Sequence, residues 1–160
     1  MTRIHESILA ASPPSVALSG LERYLEIKQH VLTLTVPLKS LGVPSEFGLS
    51  QSVRVRFLSE RRTPLSTRRG YEGMSLEWEP EGGGPFPRFE GKLILHPNSG
   101  QTELELKGGY TPPLGEIGAA FDAVIGNKIA RATIRILLEN LKAVLEEEFA
   151  TFKEAVQQTF

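Results

Sequence analysis

The stretch GGYTPPLGEIGAAFDAVIGNKIARATIRILLENL, residues 108 to 141, decides how the rest of the chain is read. Pro112 and Pro113 close the run before them, because a proline pair neither donates to a strand ladder nor continues a helix. Beyond them, from about Ile117 to Val156, there is no proline and helix formers dominate. Phe121, Ile125, Ile129, Ala132 and Ile136 recur at intervals of three and four, the period of one helix face. A helix of some forty residues would run about 60 Å, twice the width of a small domain.

Upstream the period changes from helical to two. Val31 to Leu38 is β-branched and apolar. Val53, Val55 and Phe57 alternate with Arg54, Arg56 and Leu58, and Met74, Leu76 and Trp78 with Ser75, Glu77 and Glu79. Phe89, Gly91, Leu93 and Leu95 alternate with Glu90, Lys92, Ile94 and His96, and Leu104 and Leu106 with Glu103, Glu105 and Lys107. Turn chemistry joins these runs at Glu81-Gly-Gly-Gly-Pro85 and at Pro97-Asn-Ser-Gly100. Alternation with one polar face predicts an antiparallel sheet wetted on one side. The other face needs a cover, and only the C-terminal helix is long enough to supply it.

Thr2 to Ala11 also alternates, with Ile4, Glu6, Ile8 and Ala10 on one face and His5, Ser7 and Leu9 on the other. Ser12 followed by Pro13 predicts a capped helix start. Ala17, Leu21, Tyr24, Leu25 and Lys28 then recur at helical spacing, with Gly20 weakening the middle, so one or two short helices follow the first strand. Lys39 to Ser50, holding Gly42, Pro44 and Gly48, reads as a loop.

IHESILAASPPSVALSGL, residues 4 to 21, together with the stretch at 108 to 141, resembles the helix-grip fold of the START-like superfamily (SRPBCC), which includes polyketide cyclases and plant Bet v 1 allergens. The resemblance spans nearly the whole chain. It implies an α+β fold, a curved antiparallel sheet of six or seven strands gripping a long C-terminal helix. Six strands are counted, and a seventh would fall in Lys39 to Ser50. The glycine-rich loop of the allergens has no counterpart, and Gly82-Gly83-Gly84 reads as a hairpin turn.

The same resemblance implies an apolar cavity between sheet and helix that binds a lipid, a polyketide or a similar apolar or amphipathic molecule, as carrier or sensor. Alternation then places Met74, Leu76, Trp78, Phe89, Leu93 and Leu106 on the inner wall, with Phe121 and Ile125 from the helix. Tyr110 would stand at the mouth, its hydroxyl free to orient a ligand. Each of these residues also has a plain role as close-packed core. Two alternatives stay open: a cyclase- or hydratase-type enzyme using Tyr110 or Glu6 inside the same cavity, and a non-catalytic interaction module.

Composition narrows the chemistry. The 160 residues suit one domain, and no linker divides them. There is no cysteine, which excludes disulfides, thiol nucleophiles and cysteine metal centres. The 18 basic and 19 acidic side chains nearly cancel, so the whole chain has no bias toward nucleic acid or anionic membrane. Its longest uncharged stretch, Ser7 to Leu21, is broken by Pro13 and Pro14 and is too short to span a bilayer. The chain therefore reads as cytoplasmic, with no transmembrane segment.

His5, His30 and His96 form no metal spacing and read as surface histidines, and no cofactor is expected. Asp122, the only aspartate, suits the positive end of the long helix. Glu6 shares a face with Ile4 and Ile8 but is expected to be solvated. Arg54, Arg56, Arg61, Arg62, Arg68 and Arg69 stand against one acid, Glu60, and read as a solvated hairpin guarding a sheet edge. No nucleotide-binding glycine loop or nucleophile-elbow motif is present.

The long helix carries a second apolar stripe, Ile134, Leu138, Leu141, Leu145, Phe149, Phe152 and Val156. At 100° per residue it lies nearly opposite the first. One sheet does not bury both, so this stripe is expected to meet a second copy or a partner, unless the helix near residues 13 to 28 covers it.

Overall fold

A computed structural model describes residues 2–45, 48–58, 74–83, 86–112 and 123–159. The elements in chain order are strand β1 (Thr2–Ala10), helix α1 (Pro14–Ile27), strand β2 (Val31–Pro37), a 3-10 turn (Lys39–Leu41), strands β3 (Ser50–Leu58), β4 (Met74–Pro80), β5 (Arg88–Asn98) and β6 (Gln101–Thr111), and helix α2 (Ala123–Thr159). The strands form one antiparallel sheet in the order β1-β6-β5-β4-β3-β2. Among the described residues Lys39 to Ser50 supplies the 3-10 turn and no extra strand, so the count is six. Neighbours in sequence are neighbours in space from β2 to β6, and β1 alone travels, to pair with β6.

The alternation is realised strand by strand. Val53, Val55 and Phe57 are buried while Arg54 and Arg56 face water. Leu76 and Trp78 are buried on β4, Phe89, Leu93 and Leu95 on β5, Leu104 and Leu106 on β6. Tight turns set the register. At the β5–β6 hairpin Ser99 and Gly100 both have positive φ, 50° and 81°, the backbone twist that a two-residue hairpin needs.

The start of α1 differs from the expected cap. Pro13 holds the N-cap position and no side chain caps the helix. Ser12 is drawn into the body instead. Its amide bonds the Ala10 carbonyl, its own carbonyl accepts from Thr102 Oγ1 at 2.8 Å, and its hydroxyl is buried without a partner. Beyond this, α1 is one continuous helix, and Gly20 is part of the reason it packs. A Cβ there would sit 3.3 Å from Glu148 Cβ, so the missing side chain lets α1 lie close to α2.

Helix α2 covers the sheet. Its closest backbone approaches are to α1, β1, β2 and β6. Approaching both edge strands of a six-stranded sheet more closely than the strands between them requires the sheet to curl around the helix. The face that does so is Ile129, Ala130, Ile134, Leu137, Leu138, Leu141 and Leu145, all at most 2% exposed.

This corrects the expectation of an outer stripe. Ile134, Leu138, Leu141 and Leu145 are core residues of this chain, covered by the sheet and α1, and are closed to a second copy. Phe149 is half-buried, and only Phe152 and Val156, 50% and 40% exposed, stand free. The error came from giving the sheet the wrong stripe: the buried band is centred on the second one, and of the first, among the described residues, only Ile129 is fully buried, with Ile125, Ala132 and Ile136 half-buried. Among the described residues no helix is long and apolar enough to cross a membrane.

Candidate functional site

The inner wall is built in rows by strand pairing. One row runs Val55, Trp78, Phe89, Tyr110; the next runs Phe57, Leu76, Gly91, Gly108, Ile4; a third runs Met74, Leu93, Leu106, Glu6. Thus Met74, Leu76, Trp78, Phe89, Leu93, Leu106 and Tyr110 all project from the face that α2 covers. Most are closed off from water. Met74 and Ile125 are only half-buried. Phe121, with Asp122, lies outside the described residues.

The middle of the wall is deep. The main backbone approaches of α2 are at β1, β2 and β6, and α1 approaches β5 and β6, so the inner face of β3 and β4 is covered chiefly by side chains. Trp78, Phe86 and Phe89, the largest fully buried residues, stand there. Trp78 and Phe89 stack at 4.2 Å between ring centroids with 13° between planes. The indole Nε1–H of Trp78 donates to the Pro87 carbonyl at 3.0 Å, which satisfies the one polar atom that aromatic ring would otherwise bury.

Beside this stack Gly91 and Gly108 are direct cross-strand partners, and both lack positive φ. They serve close approach. A Cβ on Gly91 would strike the Lys107 carbonyl and lie 2.6 Å from Phe89 Cζ; one on Gly108 would strike the Glu90 carbonyl and lie 2.8 Å from the same Cζ. The tip of the Phe89 ring therefore rests on bare backbone. Tyr110, in the Phe89 row, is 3% exposed rather than at an open mouth, and its ring packs beneath Gly126 of α2. Phe86 and the glycine pair are the parts of the site that sequence reasoning missed. Glycine inside a strand pattern was the available signal for the last of these.

Polar groups gather at the rim. Glu6 is on the inner face, as its alternation with Ile4 and Ile8 requires, yet it is not simply solvated: Arg131 of α2 donates to its carboxylate through Nη1, and the Arg131 Nε–H donates to Asn127 Oδ1 at 2.9 Å. Glu6 pairs with Leu106, four residues along β6 from Tyr110, a separation of about 14 Å. The two polar groups named for an enzymatic role do not converge.

The outer face is a charged ladder. Arg54 pairs with Glu81 at 3.4 Å and Arg56 with Glu77 at 3.5 Å, while Arg61, Arg62, Arg68 and Arg69 lie outside the described residues. A groove of about 140 Å³ is lined by Arg54, Arg56 and Arg88, by Glu77, Glu79 and Glu90, and by Trp78 and Phe89. Its charges balance, so it presents no single-sign field to an anion or to RNA. Further along the sheet, Glu105 joins two imidazoles, His5 Nε2 at 2.7 Å and His96 Nε2 at 3.3 Å. Burial pushes the Glu105 carboxyl up, but the hydrogen bonds and charges of His5 and His96 outweigh it and hold the group below its ordinary value. Among the described residues no group of three or more His, Asp or Glu side chains is arranged to hold a metal ion.

No family model matches the sequence, and no curated protein does. Solved structures of similar architecture include the Zhui aromatase/cyclase from Streptomyces sp. R1128, 12% identical over 91% of this chain and 92% of that one, with a TM-score of 0.44. Ara h 8.0201 is 11% identical over 93% and 97%, with a TM-score of 0.47. A START superfamily protein from Mycobacterium smegmatis is 11% identical over 95% and 99%, with a TM-score of 0.45. Likeness at this level concerns fold alone. The START-like helix-grip fold is read from the strand order and from α2 lying across the curled sheet.

Proposed function

We propose that this protein binds an apolar or amphipathic small molecule, such as a lipid or polyketide, between the inner face of its sheet and α2, as a carrier or sensor. The observation that carries the reading is the stretch of inner wall over β3 and β4, which large apolar side chains fill and which lies away from the main backbone approaches of both helices. The strand residues from Met74 to Tyr110 and Ile125 of the helix would contact the ligand. Pockets of this kind are mostly apolar with few polar groups, and Tyr110 together with the Trp78 indole supplies the polar atoms near this one.

Native mass spectrometry of the protein purified from its own cells tests this directly. A co-purified apolar molecule is expected. Bare protein that also takes up no fluorescent lipid probe would overturn the proposal. That outcome would favour a second reading, a protein-interaction module, whose supporting observation is the projecting end of α2 with Phe152 and Val156 exposed.

A further inference from the structure

We propose that Phe89 is a displaceable plug, and that the slot it fills, between the Trp78 indole and the bare Gly91–Gly108 backbone, receives a planar aromatic ring of the ligand. This rests on the reading of the inner wall as a ligand site and specifies what that site selects. The slot has one flat wall and a bare floor. The wall is an indole parallel to the Phe89 ring within 13°. The floor is a patch of sheet without side chains, where Phe89 Cζ lies close to both glycines. What occupies such a slot must lie flat against the indole.

The wall and the floor are fixed and the occupant is not. Trp78 is pinned by its hydrogen bond to the Pro87 carbonyl. Neither glycine can gain a side chain without striking a carbonyl of the neighbouring strand, so the bare patch is built into the ladder. Phe89 has no polar anchor and is held by ring stacking and burial alone. A strand phenylalanine also has a second staggered χ1 setting of comparable frequency. A ligand ring that enters recovers the stacking that Phe89 gives up, because both are flat π-systems meeting the same indole. A puckered or branched skeleton recovers less, since it cannot lie flat against the indole. The inference is therefore selective: planar polycyclic ligands over saturated ones of equal size.

Trp78 is the only tryptophan, so the protein has a single indole N–H resonance, and that resonance sits on the slot. The test is a titration of the full, isotope-labelled chain with naphthalene and, separately, with decalin, which has the same ten carbons but is puckered. Naphthalene is expected to shift the Trp78 N–H saturably and decalin to leave it in place. In Phe89→Leu, which keeps an apolar side chain but removes the ring, the naphthalene affinity should rise about tenfold, as displacement of the plug no longer competes. If naphthalene shifts the methyls of Leu93 and Leu106 but not the Trp78 signal, the cavity stands and the slot is refuted. An equal Trp78 shift from decalin refutes planar selection. No shift of any inner-wall signal with either probe overturns both the slot and the cavity. The wild-type titration decides these outcomes even if Phe89→Leu does not fold.

Discussion

Glu105 shows how much a single carboxylate on an exposed sheet face can depend on its neighbours. Two imidazoles from two different strands reach it across β6, and they hold its carboxyl below the ordinary 4.5 against the opposing effect of burial. The sign of the consequence follows. The folded chain keeps this carboxylate to lower pH than the unfolded chain does, so its contribution is present above 4.5 and is lost as pH falls through the lowered value. In urea unfolding from roughly pH 5.5 down to 3, the wild type should lose stability more steeply than Glu105→Gln. The difference should stay under about 1 kcal/mol, since both histidines are largely exposed. Parallel curves would show that the bridges contribute nothing.

Helix α2 makes two opposite claims along its length. Leu141 is fully buried between the sheet and α1, whereas Phe152 is half-exposed on a stretch, 151 to 158, where every residue faces water. Leu141→Ala should cost about 2–5 kcal/mol by thermal or chemical melting, and Phe152→Ala no more than about 0.5 kcal/mol. A large loss at Phe152 would mean that something covers the projecting end in solution. The same helix marks where sequence reading succeeds and where it stops. The 3.6 period announced a helix, and the period of two placed Trp78, Phe89 and Leu93 on the covered face, because burial alone dictates both patterns. Periodicity does not say which of two apolar stripes meets the sheet, so Leu141 was assigned outward. Nor does it say which neighbour arrives: Gly20 looked like a helix breaker until Glu148 was found beside it. Ser12 was assigned to a cap on residue type, and Pro13 took the position instead. The glycine slot under Phe89 was hidden for the same reason, since it exists only once β5 and β6 are in register.

Taken whole, the molecule has a centre and an end of very different firmness. β5 and β6 are flanked by strands on both sides and covered from within, whereas α2 is 37 residues, about 55 Å. A strand of 11 residues reaches only about 37 Å. Native-state hydrogen exchange should therefore be slowest in β5, β6 and the Ile129–Leu145 part of α2, and at least about a hundredfold faster over 151 to 158, where opening approaches zero cost. Uniform protection along α2 would contradict a free projecting end.

The pairing of β1 with β6 has a consequence for how the protein is made. Thr2 meets Tyr110 and Ala10 meets Thr102, so β1, the first of these six strands to be synthesised, has no partner until roughly a hundred further residues have been added. At about 5–20 residues per second this is a wait of about 5–20 seconds. During that time Ile4, Ile8 and Leu9 are exposed to whatever chaperone or neighbouring nascent chain is near. The meander from β2 to β5 can zip up meanwhile, each strand onto its predecessor, so the newborn chain is a half-built shell trailing a sticky leader that only the last strand retrieves.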